Sequence, residues 1–209
     1  MELRTKLDNG REYRNFYEIR AEGEAEDMRV EGYATVFDTP YVLYSEPDYQ
    51  VIEQIDAKAF DGCDMSDVIM QYDHRGRVFA RTKNNTLTVE PDDKGLFSVG
   101  LLGGTDIGRQ LYQEIKGGYT DKMSFGFKVA EEKREIIEDY EEGKTTVMRT
   151  ITKIAKLYDV SAVSLPANDA TEISARSLGE GVIAECKAER LRAIEHQKEV
   201  EKIRLMMEV

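Results

Sequence analysis

Three residues in this chain have the types and settings that chemistry requires. Ser124 stands in "TDKMSFGFKV" (120–129), a serine wedged between large apolar side chains and next to a glycine. On an extended strand Lys122, Ser124 and Gly126 share one face, while Met123, Phe125 and Phe127 take the other. The phenylalanines would anchor the strand in a core and present Ser124 outward beside Gly126, whose missing side chain leaves room for a substrate carbonyl. An ordinary surface serine fits the same pattern. A serine is a poor nucleophile without a base within about 3 Å. The nearest imidazole in kind is His74, at the end of the apolar run "DVIMQYDH" (67–74) and before Arg75-Gly76-Arg77, which reads as a turn. The other histidine, His196, lies in a charged tail.

Asp159 in "LYDVSAVSLPAND" (157–169) is the third candidate. Period-2 alternation places it on one face with Leu157, Ser161 and Val163, and a carboxylate among apolar residues needs a partner. Holding a histidine in the tautomer required of a general base is one such pairing; a solvated aspartate on an edge strand is the other reading. Asp73 is a weaker orienter, because side chains of neighbours on an extended chain diverge.

The composition narrows the classes of function. The chain has 209 residues, with 41 Asp+Glu against 29 Lys+Arg and a formal net charge of −12. Such a chain repels phosphate, so neither nucleic acid nor an anionic membrane surface is an expected partner. Two cysteines (Cys63 and Cys186) outside any CxxC pair, with only two histidines, supply no zinc-binding pattern. They read as free thiols in a reducing compartment. No metal or cofactor is expected. The polar start "MELRTKLDNGREYRNF" lacks the apolar run of a signal peptide, and no stretch reaches the roughly 20 apolar residues of a membrane span. The expected setting is the cytosol.

The elements that must position the three residues are mostly strands. Alternation predicts strands over 14–21, 28–38, 49–55, 67–74, 120–133 and 146–167, the last one broken or bulged, with Gly32 marking a bulge. Residues 78–102 read as two hairpins turned at Asn84-Asn85 and at 92–95. Helical spacing appears at 105–118, capped by Thr105 and ended by Gly117-Gly118. From Glu185 the chain lacks Gly and Pro and carries opposite charges at i,i+3, as in Glu189/Arg192 and Glu195/Lys198. The expected fold class is α+β, mainly β. Its expected organisation is a domain over 1–175, a flexible link at 176–182 and a charged helical tail over 183–209.

The blocks "VEGYATVFD", "AFDG", "MQYDHRG", "MSFGFKV" and "LYDVSAVSLPANDATEISAR" occur in one order through residues 28–176, and there the chain resembles the prohead (capsid maturation) proteases of tailed bacteriophages. That family is related to the assemblin serine proteases of herpesviruses. The resemblance implies a compact β-barrel with flanking helices. It also implies a serine endopeptidase that cleaves scaffold and major capsid proteins, and itself, inside proheads assembling in the host bacterial cytoplasm. Carried over residue by residue, it makes Ser124 the nucleophile and His74 the general base. The herpesvirus relatives use a second histidine as third member; this domain has none, so Asp159 takes that place. The resemblance does not assign the oxyanion donor; a backbone N–H in the loop after Ser164 is one candidate. With an unperturbed imidazole as base, activity would rise with pH near about 6.5. The competing reading is a non-catalytic assembly or scaffolding protein that binds through its β domain and self-associates through its tail. The separation of Ser124 and His74 decides between the two.

Overall fold

A computed structural model of the chain describes residues 11–22, 28–139, 143–164 and 169–207. Ten strands and two helices follow in the order β1 (Arg11–Glu22), β2 (Arg29–Val36), β3 (Tyr41–Ser45), β4 (Tyr49–Ile55), β5 (Ile69–Tyr72), β6 (Arg75–Arg81), β7 (Leu87–Pro91), β8 (Gly95–Leu101), α1 (Asp106–Lys116), β9 (Lys122–Asp139), β10 (Lys144–Val163) and α2 (Asp169–Met207). All ten strands join one sheet in the order β3-β4-β10-β9-β1-β2-β8-β7, with β5 and β6 branching from β10. The long β9–β10 hairpin is its spine. Beyond β9, the flank of β10 pairs in parallel first with β4 (Thr145–Ile151 against Tyr49–Ile55) and then with β5 (Asp159–Ala162 against Ile69–Tyr72).

The fold is mainly β with a C-terminal helix, as the alternation implies, but the sheet does not close into a barrel. The sheet curls until β5 faces β8, where a Cβ on Gly100 would stand 3.0 Å from the Met70 sulfur. Closure would need a ladder between β6 and β7, and β6 pairs only with β5. Residues 82–84 form a 3-10 turn that redirects the chain, so the first of the two expected hairpins is not formed, whereas β7 and β8 do pair. The core lies within the curl and includes Met70, Leu96, Phe125, Phe127, Ile151 and Val160. Helix α1 packs Leu111 and Ile115 onto it, and the Thr105 hydroxyl accepts from the Gly108 N–H as the cap. Gly32 is not a bulge; the β2–β8 register slips between Tyr33 and Thr35 instead.

A layer of buried charge divides this core from a second, smaller one. Glu53 of β4 accepts from Arg14 Nε at 2.5 Å and Nη2 at 2.8 Å, from Arg149 and from the Tyr41 hydroxyl. Arg149 also reaches Glu12 at 2.9 Å and Glu132 at 2.5 Å. Burial alone would raise Glu53; the guanidiniums of Arg14 and Arg149 outweigh it and hold the carboxyl down to about 2. Opposite charges on β1, β4, β9 and β10 are thus satisfied by one another.

Residues 176–182, read from sequence as a flexible link, lie inside α2, which continues without interruption from Asp169 to Met207. Packing is the reason. Leu178, Val182, Ile183 and Cys186 are buried, the last three in a cluster with Val51 and Val147. Gly179 contributes closeness rather than flexibility, since a Cβ there would collide with Tyr44. Arg134 and Glu185 pair at 2.6 Å across the same contact. Past Lys187 the helix is largely exposed.

Truncation after Arg176 should therefore destabilise the β domain, since each buried aliphatic side chain is worth about 1.5–3 kcal/mol. Truncation after Arg192 should leave the denaturant midpoint nearly unchanged. Glu53→Gln should cost about 3–5 kcal/mol by leaving two buried guanidiniums undercompensated. The lowered Glu53 carboxyl also implies a sign. Its contribution is full above about 4.5 and is lost as pH falls toward 2. Acid unfolding of wild type and Glu53→Gln measures both effects.

Candidate active site

His74 occupies the tip of the β5–β6 hairpin. Tyr72 pairs with Arg75, so Asp73 and His74 are the two turn residues, with φ of 47° and 57°. Two successive positive φ values match the type I′ turn favoured by the twist of two-residue hairpins. The turn is thus Asp73-His74 itself, and Arg75-Gly76-Arg77 belongs to β6. The tip is tied to the end of β10: the Asp73 N–H donates to the Ala162 carbonyl at 3.0 Å, and the Asp73 carboxylate accepts from the Ser164 N–H and hydroxyl, each at 3.0 Å. Asp73 anchors the turn and does not orient the imidazole.

Ser124 and Asp159 face the same side of the sheet because of the β9–β10 register. Ser124 lies opposite Ser161 and Gly126 opposite Asp159. The register slips between Leu157 and Asp159. That slip sends Leu157 into the core, not onto the Asp159 face as strict alternation implied, while Ser161 does share that face and donates its hydroxyl to Asp159 Oδ2 at 2.7 Å.

The three candidates meet. The Ser124 hydroxyl lies 2.5 Å from His74 Nε2, and His74 Nδ1 lies 2.5 Å from Asp159 Oδ2. With neutral imidazole, Ser124 donates to Nε2 and the Nδ1–H donates to the carboxylate. Arg11 pairs with the other carboxylate oxygen, Oδ1. The Tyr13 ring packs on the imidazole with centroids 4.4 Å apart. Two expectations about exposure are corrected. Ser124 is buried, because the hairpin tip lays the His74 ring against it. The space at Gly126 holds protein and not substrate: a Cβ there would collide with Asp159 Oδ1 and stand 2.9 Å from Arg11 Nε and from Tyr13 Cε1.

Burial, and secondarily the charge of Arg11, push His74 from the usual 6.5 down to about 3. The imidazole is therefore a neutral acceptor at neutral pH, and an acid limb in any His74-dependent activity belongs well below 6.5. Among the described residues no cluster of three or more His, Cys, Asp or Glu is placed to hold a metal ion, and no helix is long and apolar enough to cross a membrane.

A family model described as caudovirus prohead serine protease matches residues 15–182. The chain belongs to that family. No curated protein and no solved structure gives a significant match. Membership establishes the setting that the ordered blocks implied, a serine peptidase of phage capsid maturation. The matched span holds all three candidate residues and excludes Arg11 and Tyr13. These two were missed in the sequence, where no local pattern ties residue 11 to residue 159. The candidate oxyanion donor after Ser164 falls in 165–168, outside the described residues.

Gly126→Ala should displace Asp159 and Arg11 at a cost of about 1–3 kcal/mol. Because it leaves Ser124 and His74 in place, it should slow labelling of Ser124 by a fluorophosphonate far more than it lowers the denaturant midpoint. Labelling at the wild-type rate would mean that Asp159 is free to move without consequence for the serine.

Proposed function

We propose that this prohead protease is a serine endopeptidase in which Ser124 is the nucleophile, His74 the general base and Asp159 the orienting acid, acting on scaffold and major capsid proteins. The observation that supports this reading is the continuous hydrogen-bonded chain Ser124–His74–Asp159, drawn from two strands and the turn of a separate hairpin. A protein that only binds and assembles has no need of that convergence.

The chemistry follows from the geometry. Ser124 Oγ attacks the scissile carbonyl carbon while its proton passes to His74 Nε2. The imidazolium so formed is stabilised by Asp159 through Nδ1–H. The tetrahedral intermediate collapses, the C–N bond breaks, and Nε2–H protonates the departing amine. Water then repeats the sequence on the acyl-enzyme and restores Ser124. General-base assistance of this kind is worth roughly 10²–10⁴-fold. Since Ser124 is buried, a peptide carbonyl would have to reach it beside the His74 turn without displacing the imidazole.

The work would take place in proheads assembling within the host cytoplasm. The division into a catalytic β domain and a tail is part of this proposal, with the boundary moved to where α2 leaves the sheet, past Lys187. That exposed part of the helix is the portion available for recruitment into the shell. Self-cleavage at 176–182 would require α2 to unwind there, since a protease threads extended chain.

Incubation of the purified protein with its scaffold and major capsid proteins should give discrete fragments. Ser124→Ala and His74→Ala should each reduce the rate by about 10⁴-fold or more, and the double variant should be no worse than either single one, because the two act as a unit. Fragments at near wild-type rate from Ser124→Ala would end the nucleophile assignment. The profile of kcat/KM should stay flat from pH 8 to below 6.5, and chelators should have no effect.

A further inference from the structure

Arg11 is bound into the site by four separate contacts. Its guanidinium pairs with Asp159 Oδ1. It lies over the Tyr158 ring at 4.5 Å and the Tyr13 ring at 5.1 Å from the centroids. It passes across Gly126, where any Cβ would stand 2.9 Å from Nε. Its buried Nε–H has no acceptor among the described residues. A surface ion pair would not need a glycine vacated for it and a tyrosine on either side. Asp159 itself is buried, and a buried carboxylate with only an imidazole and a hydroxyl for partners is poorly compensated.

We propose that Arg11 is a positioning residue of the catalytic site: it holds Asp159 by Oδ1 so that Oδ2 faces His74, and its charge opposes protonation of the imidazole. The inference rests on the triad reading above. The groups around the ring are Asp159 of β10, Ser124 of β9, and Tyr13 and Arg11 of β1, with Asp73 and Arg75 flanking it in sequence. Asp73 is held by Ser164. Asp159 draws a proton toward the ring, whereas burial and, after it, the charge of Arg11 oppose it, and the lowered His74 accords with that balance. The consequence is a base that stays neutral in mildly acid surroundings. Arg11 stands four residues before the span that the family model matches, on the strand β1 that runs into that span.

The test is the NMR titration of the His74 ring, with His196 as the second histidine signal, in wild type, R11M and R11K. In R11M the His74 midpoint should rise by about one pH unit or more, which is a tenfold change in proton affinity, while His196 does not move. R11K keeps the charge and should titrate near wild type. The acid limb of kcat/KM should move with the ring, so that R11M loses about tenfold at a pH on the wild-type plateau just above its limb, in kcat more than in KM. An unshifted His74 in folded R11M overturns the proposal. If R11M lacks a cooperative melt, R11Q, which retains an N–H donor for Oδ1 without the charge, carries the same test. Should both neutral variants fail to fold while R11K folds, the charge serves folding and not the imidazole, and the proposal is again overturned. Failure of the triad reading would show differently, as proteolysis by Ser124→Ala with the ring titration unaffected.

Discussion

The register of β9 against β10 is the constraint on which the site depends. It places Ser124 opposite Ser161 and Gly126 opposite Asp159, so one face of two adjacent strands carries the serine, the acid and the glycine that makes room for them. A slip of one residue would send Ser124 and Asp159 to opposite faces. The stacked Phe125 and Phe127 rings, with Val160 and Ala162, resist such a slip by filling the core on the other side. The shift between Leu157 and Asp159 is part of the same constraint, since it lets Leu157 and Val160 both enter the core while Asp159 stays in the site.

His74 is fixed by a different device. A two-residue turn with both φ values positive holds it at the end of β5, and the parallel β5–β10 pairing sets that end beside Ala162. Asp73 spends its carboxylate on Ser164 and so locks the turn to the strand that carries Asp159. The three candidate groups thus stand on paired strands and a tied turn, as precise placement demands.

Buried charge organises the rest of the sheet. Around Glu53, charges from β1, β4, β9 and β10 compensate one another, while Arg11 and Asp159 pair at the site. Both systems use β1: Glu12 and Arg14 point to one face, and Arg11 and Tyr13 to the other. The first strand therefore joins the stability of the sheet to the electrostatics of the site.

Residue types and local period were enough to single out Ser124, His74 and Asp159 as candidates, because a histidine nearly alone in its domain and a carboxylate amid apolar alternation are visible without a structure; the roles of Ser124 and His74 came from the resemblance to prohead proteases. The same period set most strands, and a Thr cap with a Gly-Gly stop set α1. Three things were decided only in three dimensions. Whether the sheet closes depends on β6 and β7 meeting, and a 3-10 turn at 82–84 prevents their ladder. Whether "RSLGEGV" is a link or a helix depends on Tyr44 and Val51 waiting beneath it, since glycine in a helix costs only about 1 kcal/mol and buried contacts exceed that. Whether Arg11 belongs to the site depends on the pairing of Arg11 with Lys128, which sets it across the single intervening strand β9 from Asp159. Local sequence encodes what a residue is and how its neighbours alternate; which distant charge comes to face it is a property of strand order alone.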